Sequence, residues 1–121
     1  MLGPVEIAYY YKVRWGAERE FRALFIKNHL PVLLAQKKSG RFLDVRMYEP
    51  KFHGEGRADW HFLTVVTFAD WAAVGAGVDE DALARELFPD YETHRSEERR
   101  RFEILEAHWD VVLKPIALPE A

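Results

Sequence analysis

The sequence predicts an α+β domain in which helices cover one face of a four-stranded antiparallel sheet. The first observation is the run at residues 59–68, the densest group of β-branched and aromatic residues in the chain. Because this run is apolar at almost every step, we expect a strand buried on both faces, in the middle of the sheet. The second observation is that three further segments alternate with a period of two, separated by segments of helical periodicity.

The first two elements are predicted to be a strand and a long helix. Residues 6–14 alternate in a strand pattern, and the face that carries Ile7 and Tyr11 can meet a helix. Residues 17–38 have an apolar stripe at helical spacing, and Gly40 follows as a stop signal. Pro31 lies inside this helix and lacks the N–H that would bond to the carbonyl of residue 27. We therefore expect a kink or a break at residues 28–31.

The next segments predict a strand, a loop and the central strand. Residues 41–49 form the second strand, in which Leu43, Val45 and Met47 make an apolar face. A mixed face is predicted on its other side, made of Phe42, Asp44, Arg46 and Tyr48. Two glycines and a lack of periodicity indicate a loop at residues 50–58. This loop leads into the central strand.

The C-terminal half predicts helices and a last strand. Asp70 and Asp79 are placed as N-caps of two short helices. Residues 90–106 predict a highly charged helix with a thin apolar stripe made of Tyr91, Phe102 and Leu105, which mainly shields the sheet and faces water. Residues 108–114 form the last strand. The element order is then β, α, β, β, α-rich, β, which predicts a ferredoxin-like sandwich.

The uncovered face of this sheet predicts a homodimer. Alternation places a set of mostly aromatic residues on that face: Tyr10, Phe42, Tyr48, Trp60, Phe62, Val66 and Phe68. Such a face is too apolar to remain in water. We expect two copies to close their sheets into a barrel.

At this point the chain resembles the dimeric α/β-barrel superfamily, which includes antibiotic-biosynthesis-monooxygenase-like, EthD-like, muconolactone-isomerase-like and NIPSNAP-like proteins. The local likeness is residues 25–33, which contain His29 and Pro31 and are followed by Gly40. The resemblance covers nearly the whole chain and implies a dimer with a cavity between sheet and helix or within the barrel. It implies no single reaction, because a fold does not fix a function.

Composition bounds the remaining possibilities. The 121 residues predict one domain, spanning residues 1–121, with a net charge of −3 that gives no electrostatic case for nucleic acid or anionic membranes. The absence of cysteine excludes disulfides and thiolate catalysis and fits a cytoplasmic protein. The histidines have no metal-ligand spacing, so we expect neither a metal nor an organic cofactor.

His29 and His61 are the catalytic candidates. His29 lies at the predicted helix break and is a possible proton-transfer group, or else a capping or packing residue. His61 follows Trp60 in the central strand and is a possible acid–base group, or else a buried histidine bonded to backbone. His108 and Asp110 share one face of the last strand, as an oriented imidazole or a polar edge. His53 and His94 are expected to be exposed and without a role.

The substrate-binding candidates are Arg46, Tyr10, Tyr48 and Trp60. Arg46 is placed to hold an anionic or carbonyl group of a ligand, or else to pair with a carboxylate at the dimer interface. Two functions follow. One is a cofactor-free protein that binds or turns over a small aromatic or polyketide-like molecule. The other is a non-catalytic binding or structural homodimer, and a haem-degrading monooxygenase is a weaker third.

Overall fold

The chain folds as one antiparallel sheet with its helices on one side, in a computed structural model that describes residues 3–52 and 59–120. The strands are β1 (Val5–Val13), β2 (Phe42–Tyr48), β3 (Phe62–Phe68) and β4 (Leu105–Leu113). They lie in the order β2-β3-β1-β4, and each neighbouring pair is antiparallel. This is the predicted ferredoxin-like arrangement, and β3 is an interior strand as expected. Residues 53–58 of the predicted loop lie outside the described part of the chain.

The core forms between the sheet and the helices. Alternate residues of β1 point to the helices, and Val5, Tyr11 and Val13 are at most 5% exposed. Their neighbours on β3 are apolar or aromatic too, because Val5 lies opposite Phe68 and Tyr11 opposite Phe62. Burying each such side chain contributes roughly 1.5–3 kcal/mol. The two central strands therefore provide most of the sheet's share of the core.

A β-bulge in β2 changes which of its residues face the core. Phe42 lies opposite Phe68, but Asp44 already lies opposite Thr67, so Leu43 is the additional residue. Phe42 is consequently 4% exposed and its ring packs edge-on against Phe68 at 4.8 Å, whereas Leu43 is 50% exposed. The prediction that Phe42 shares a face with Asp44 was wrong, since simple alternation does not allow for a bulge.

The uncovered face of the sheet also differs from the prediction. Phe62, Val66 and Phe68 were expected there, but all three are buried against the helices. The sequence of a strand that is apolar on both faces does not indicate which face packs against the helices, and this explains the error. The strand registers place a different mostly apolar set on the uncovered face: Tyr10, Tyr48, Leu63, Val65, Trp109, Val111 and Leu113. We call these residues the open face.

The long N-terminal helix is interrupted where the sequence predicted a break. It consists of α1 (Glu18–Leu24), a π-helical turn (Phe25–His29) and α2 (Leu30–Lys38). In the π-helical turn the N–H of Leu30 bonds to the carbonyl of Phe25, five residues back. Pro31 follows at once, in the first turn of α2, where a missing N–H is tolerated. Such single turns insert an extra residue into a helix and are frequent at functional sites.

Three helices follow β3: α3 (Trp71–Ala76), α4 (Glu80–Leu87) and α5 (Tyr91–Glu103). Each begins at an aspartate whose carboxylate accepts a hydrogen bond from the backbone N–H three residues later, at 2.8–3.0 Å. The caps at Asp70 and Asp79 were predicted. Across residues 3–52 and 59–120, none of the helices combines the length and the apolar character that a bilayer crossing needs.

The inner face of α5 is more polar than predicted. Phe102 was expected in its apolar stripe but is 56% exposed, whereas the neighbouring Arg101 is only 2% exposed. The Arg101 guanidinium lies over the rings of Phe21 and Phe25, 5.7 and 5.5 Å from their centroids. A buried arginine needs such ring contacts and an ionic partner, and Glu98 is that partner.

Candidate functional site

A cleft of about 420 Å³ opens between α2, α4 and α5, beside the π-helical turn. Cavities of this size hold small organic molecules. Imidazole and phenol rings, carboxylates and two small apolar side chains line it: His29, Val32, Glu80, Asp81, Ala84, Tyr91, His94, Arg95 and Glu98. We call this the His29 cleft. His29 is the predicted catalytic residue that lines it.

The π-helical turn places two consecutive polar residues in different surroundings. Asn28 is 1% exposed and lies against α5, where its side chain meets His94 and Glu97. The next residue, His29, lines the cleft and keeps 19% of its side chain exposed. The break that Pro31 follows therefore brings one residue of the pair into the core and the other to the cleft wall.

Burial keeps the His29 imidazole neutral at physiological pH. Loss of solvent, together with the nearby Arg101 charge, lowers the pKa of His29 from 6.5 to about 4. Glu98 acts in the opposite direction, with Oε2 lying 4.0 Å from His29 Nδ1. The ring also packs edge-on against Phe25 at 5.0 Å. His29 thus presents an uncharged ring to the cleft.

Glu98 is committed to Arg101 rather than to His29. Its two oxygens accept from Arg101 Nε at 2.9 Å and from Nη2 at 3.0 Å, a bidentate pair. The carboxylate is partly buried, with 21% of its side chain exposed. The pair links two residues in the last turns of α5. It leaves the charge of Arg101 unavailable to a ligand in the cleft.

His94 contributes the second imidazole of the cleft. It is 9% exposed, and the Phe88 ring stacks on it with centroids 4.0 Å apart. Its Nδ1 lies 3.0 Å from Asn28 Oδ1, and Asn28 Nδ2 lies 3.5 Å from Glu97 Oε1. Glu97 in turn pairs with Lys27 at 2.8 Å. A chain of polar contacts therefore runs from the surface lysine to the cleft histidine.

Tyr91 and Asp81 form part of the cleft rim. The Tyr91 hydroxyl donates a hydrogen bond to Asp81, which raises the pKa of Tyr91 and lowers that of Asp81. Asp81 also accepts from Arg85 at 3.2 Å, and the Arg85 guanidinium lies 4.1 Å from the centre of the Tyr91 ring. These contacts tie the start of α5 to α4.

The helix-facing side of β1 carries a second group of polar side chains. Burial raises the pKa of Tyr11 to about 12, and the His108 ring stacks on Tyr11 at 4.4 Å. Beside it the Thr64 hydroxyl is buried and, within the described residues, has no hydrogen-bond partner of normal geometry. His108 also approaches Asp110, with Nε2 and Oδ1 3.6 Å apart. The two residues share a face as the sequence predicted.

His61 lies apart from the His29 cleft. Its Nδ1 accepts a hydrogen bond from the backbone N–H of Val13 at 2.9 Å, and its Nε2 lies 3.8 Å from Glu18. The side chain is 18% exposed and contacts the ring of Trp15. This geometry matches the structural alternative weighed for His61, a histidine bonded to backbone. Its catalytic role stays a prediction.

The four predicted substrate-binding residues lie away from His29, on or beside the uncovered side of the sheet. The Tyr10 ring stacks on Trp109 at 5.3 Å and meets Trp60 edge-on at 5.7 Å. Tyr48 is exposed across from Leu63. Arg46 pairs within its own chain, with Glu6 at 3.1 Å and Asp44 at 3.3 Å. The sheet therefore separates His29 from the predicted substrate-binding residues within one chain.

The sequence did not single out Asn28, Tyr91, His94 or Glu98 as site residues. The expectation that His94 is exposed was wrong, because Phe88 and Asn28 cover it. The spacing of the α5 residues was the signal present in the sequence, since residues 91, 94, 98 and 101 recur at helical intervals along one face of α5. In the sequence, a polar helix face that packs against other residues of the chain has the same pattern as a polar face exposed to solvent. Among the described residues, no three carboxylate or imidazole groups converge as metal ligands.

Known structures share this fold at low sequence identity. A hypothetical protein from Arabidopsis thaliana is 13% identical, with a TM-score of 0.62 over 98% of this chain and 94% of that one. A candidate antibiotic biosynthesis monooxygenase from Bacteroides thetaiotaomicron is 10% identical, with a TM-score of 0.58 over 98% and 97%. A dimeric protein of unknown function and ferredoxin-like fold from Bacteroides fragilis is 14% identical, with a TM-score of 0.57 over 93% and 97%.

These matches confirm the predicted ferredoxin-like fold. NIPSNAP proteins are among them, as the resemblance implied. No protein-family profile and no curated protein matches the sequence. At such identities the likeness establishes the fold alone, and the function has to be argued from the chain's own residues.

Proposed function

We propose that the protein binds a small aromatic or polyketide-like molecule in the His29 cleft and transfers a proton on it, without a metal or an organic cofactor. The observation that carries this proposal is that two imidazoles, His29 and His94, share one cleft of ligand size. Histidine is the side chain most often used for proton transfer near neutral pH. Burial and ring contacts hold both imidazoles in place.

The cleft wall supports a planar, weakly polar ligand. The rings of His29, His94 and Tyr91 offer faces and edges for stacking, and Val32 and Ala84 offer apolar contact. Of the cations near the cleft, Arg101 is paired with Glu98. Asp81 is paired with Arg85, and Glu80 and Arg95 carry opposite charges, so the wall is close to neutral and suits an uncharged ligand. An aromatic molecule with hydroxyl or keto groups fits these surroundings best.

The proposal includes a homodimer formed through the open face. Trp109, Val111 and Leu113 are each 38–40% exposed in the single chain, and Tyr10 lies beside Trp109. Two structural matches are described as dimeric proteins with a ferredoxin-like fold. Joining two open faces would remove these apolar side chains from water and place Arg46, Tyr48 and Trp60 at or near the interface.

The experiment is a ligand screen read at the histidines. A library of hydroxy-aromatics and 1,3-diketones is screened by saturation-transfer NMR, and binders are mapped by the Cε1–Hε1 signals of the histidines. We expect binders to shift the signals of His29 and His94 and to leave that of His61 in place. Shifts confined to the indole signals of Trp60 and Trp109 would put the ligand on the open face and overturn the cleft proposal. The absence of any binder would overturn it as well.

One observation favours a second function, a non-catalytic homodimer. Arg46, beside the open face, is already paired with Glu6 and Asp44, so its charge is balanced within the chain. A ligand anchor would be expected to keep its charge available. The same screen separates the two functions, because a purely structural dimer should return no binder at the histidines.

A further inference from the structure

The tautomer of His94 follows from the residues behind it. Glu97 is ionised, because its pairing with Lys27 lowers the pKa of the Glu97 carboxyl below its usual value. An ionised carboxylate only accepts hydrogen bonds, so the amide group of Asn28 must turn its NH2 towards Glu97. This orientation directs Asn28 Oδ1, an acceptor, at His94 Nδ1, 3.0 Å away. The hydrogen between Asn28 Oδ1 and His94 Nδ1 must therefore be bonded to Nδ1.

The remaining nitrogen of His94 is left as an acceptor. When Nδ1 carries the hydrogen of the neutral ring, Nε2 has a free lone pair. One face of the ring is covered by Phe88, and Nδ1 is occupied by Asn28. Nε2 has no hydrogen-bond partner among the described residues that surround His94, and the residue lines the cleft. A ligand in the cleft therefore meets a fixed hydrogen-bond acceptor there.

The charges around the cleft define which ligand suits that acceptor. Of the carboxylates that line the wall, Asp81 is paired with Arg85 and Glu98 with Arg101, which leaves Glu80 and Arg95 with opposite charges. An anionic oxygen would gain little from this nearly balanced wall, and it would be repelled by the lone pair of Nε2. An un-ionised hydroxyl instead donates its hydrogen to Nε2 without bringing a charge into the cleft.

We infer that His94 Nε2 is the proton acceptor of the cleft, that Asn28 is the positioning residue that fixes its tautomer, and that the ligand class is a weak oxygen acid such as a phenol or an enol. This inference rests on the proposed function and names the group of the cleft that receives the proton. In the transfer, the O–H bond of the ligand breaks and an N–H bond forms at Nε2. The bonding pair stays on the ligand oxygen, whose new negative charge then faces the positively charged imidazolium of His94 in place of the lone pair, and no oxidant or further reactant is needed.

The ligand arm of the test uses 2-naphthol and its methyl ether, 2-methoxynaphthalene. The two have the same aromatic framework, and only 2-naphthol can donate to Nε2. We expect 2-naphthol to bind about tenfold more tightly, the effect of one hydrogen bond to a buried acceptor. Equal affinity, with shifts at His29 and His94, would keep the proposed function and overturn the inference. Binding of neither compound in the cleft would overturn the inference, and the proposed function falls with it if the library screen also returns no binder at the histidines.

The tautomer arm uses the ligand-free protein and two variants. Long-range 1H–15N NMR distinguishes Nδ1–H from Nε2–H imidazole, and we expect Nδ1–H for His94 in the unmodified chain. Glu97→Gln lets the Asn28 amide turn round, so the Nε2–H form should appear and the preference for 2-naphthol should fall. Glu92→Gln, the same change at an exposed position of α5, is the control and should alter neither. Finding Nε2–H in the unmodified protein would overturn the inference without any variant.

Discussion

His29 Nδ1 and Glu98 Oε2 lie 4.0 Å apart, within reach of a charge interaction but too far for a hydrogen bond. The distance is long because both oxygens of Glu98 are bound by Arg101. A protonated His29 would have to draw Glu98 away from a buried arginine. The neutral form avoids this conflict, and the lowered pKa of His29 follows from the same packing.

The first prediction concerns stability in acid. The folded pKa of His29 is about 4 and its ordinary value is 6.5, so between these limits the unfolded chain binds more protons. His29 then stabilises the fold fully above about pH 6.5 and loses that contribution as the pH falls towards 4. The total change is about 3 kcal/mol. Urea unfolding of the unmodified protein and of His29→Gln, from pH 7.5 to 4, measures it.

The difference between these two proteins isolates His29 from the carboxylates that also titrate. We expect the unmodified protein to lose about 2–3 kcal/mol more than the variant over this range. Parallel stability curves would mean that His29 is protonated as easily in the fold as in the unfolded chain. The conclusion that burial keeps the His29 imidazole neutral would then be wrong.

The second prediction concerns the buried ion pair. Arg101→Met leaves the Glu98 carboxylate partly buried without its partner, and we expect a loss of about 3–5 kcal/mol in the free energy of unfolding. The double variant Arg101→Met with Glu98→Gln removes both charges and should recover part of that loss. Urea unfolding at pH 7 provides the cycle. A single variant within about 0.5 kcal/mol of the unmodified protein would contradict the prediction.

The third prediction concerns the helix interruption. Pro31 lies where the missing N–H is already accommodated, so Pro31→Ala should change the free energy of unfolding by less than about 1 kcal/mol. Leu34→Pro, three residues later inside α2, is the matched contrast and should cost about 3 kcal/mol. Thermal and urea unfolding of both variants test this. Similar costs at both positions would show that the π-helical turn does not absorb the effect of the proline.

The fourth prediction concerns the proposed dimer. Trp109→Glu places a charge on the β4 side of the open face, and we expect sedimentation velocity to show a shift from dimer to monomer. Trp71→Glu is the control, because Trp71 has a similar exposed fraction, 41% against 38%, but lies on α3. A Trp109→Glu protein that remains dimeric would place the interface elsewhere on the chain.

The features that the sequence predicted correctly depend on local interactions. The caps at Asp70 and Asp79 form between residues three apart, and the break before Pro31 follows from one missing N–H. The order of strands and helices follows from periodicity within each segment. These signals need no knowledge of distant residues, and they were sufficient to identify the fold.

The features that the sequence missed depend on distant partners. Phe42 enters the core because a bulge shifts it against Phe68, which is far along the chain. His94 is buried because Asn28, 66 residues earlier, and Phe88 cover it. Arg101 is buried because Phe21 and Phe25 from α1 and the π-helical turn stack on it. Local composition indicated solvent for both of these α5 residues.

The crystal structure of the protein with bound 2-naphthol is the most direct measurement of the central claim. We predict electron density for the naphthol between α2, α4 and α5, in contact with His29 and His94, with its oxygen within hydrogen-bond distance of His94 Nε2. Density between two open faces, against Tyr10 and Trp60, would contradict the claim. The chemistry would then belong to the barrel interior, and the His29 cleft would be a feature of helix packing.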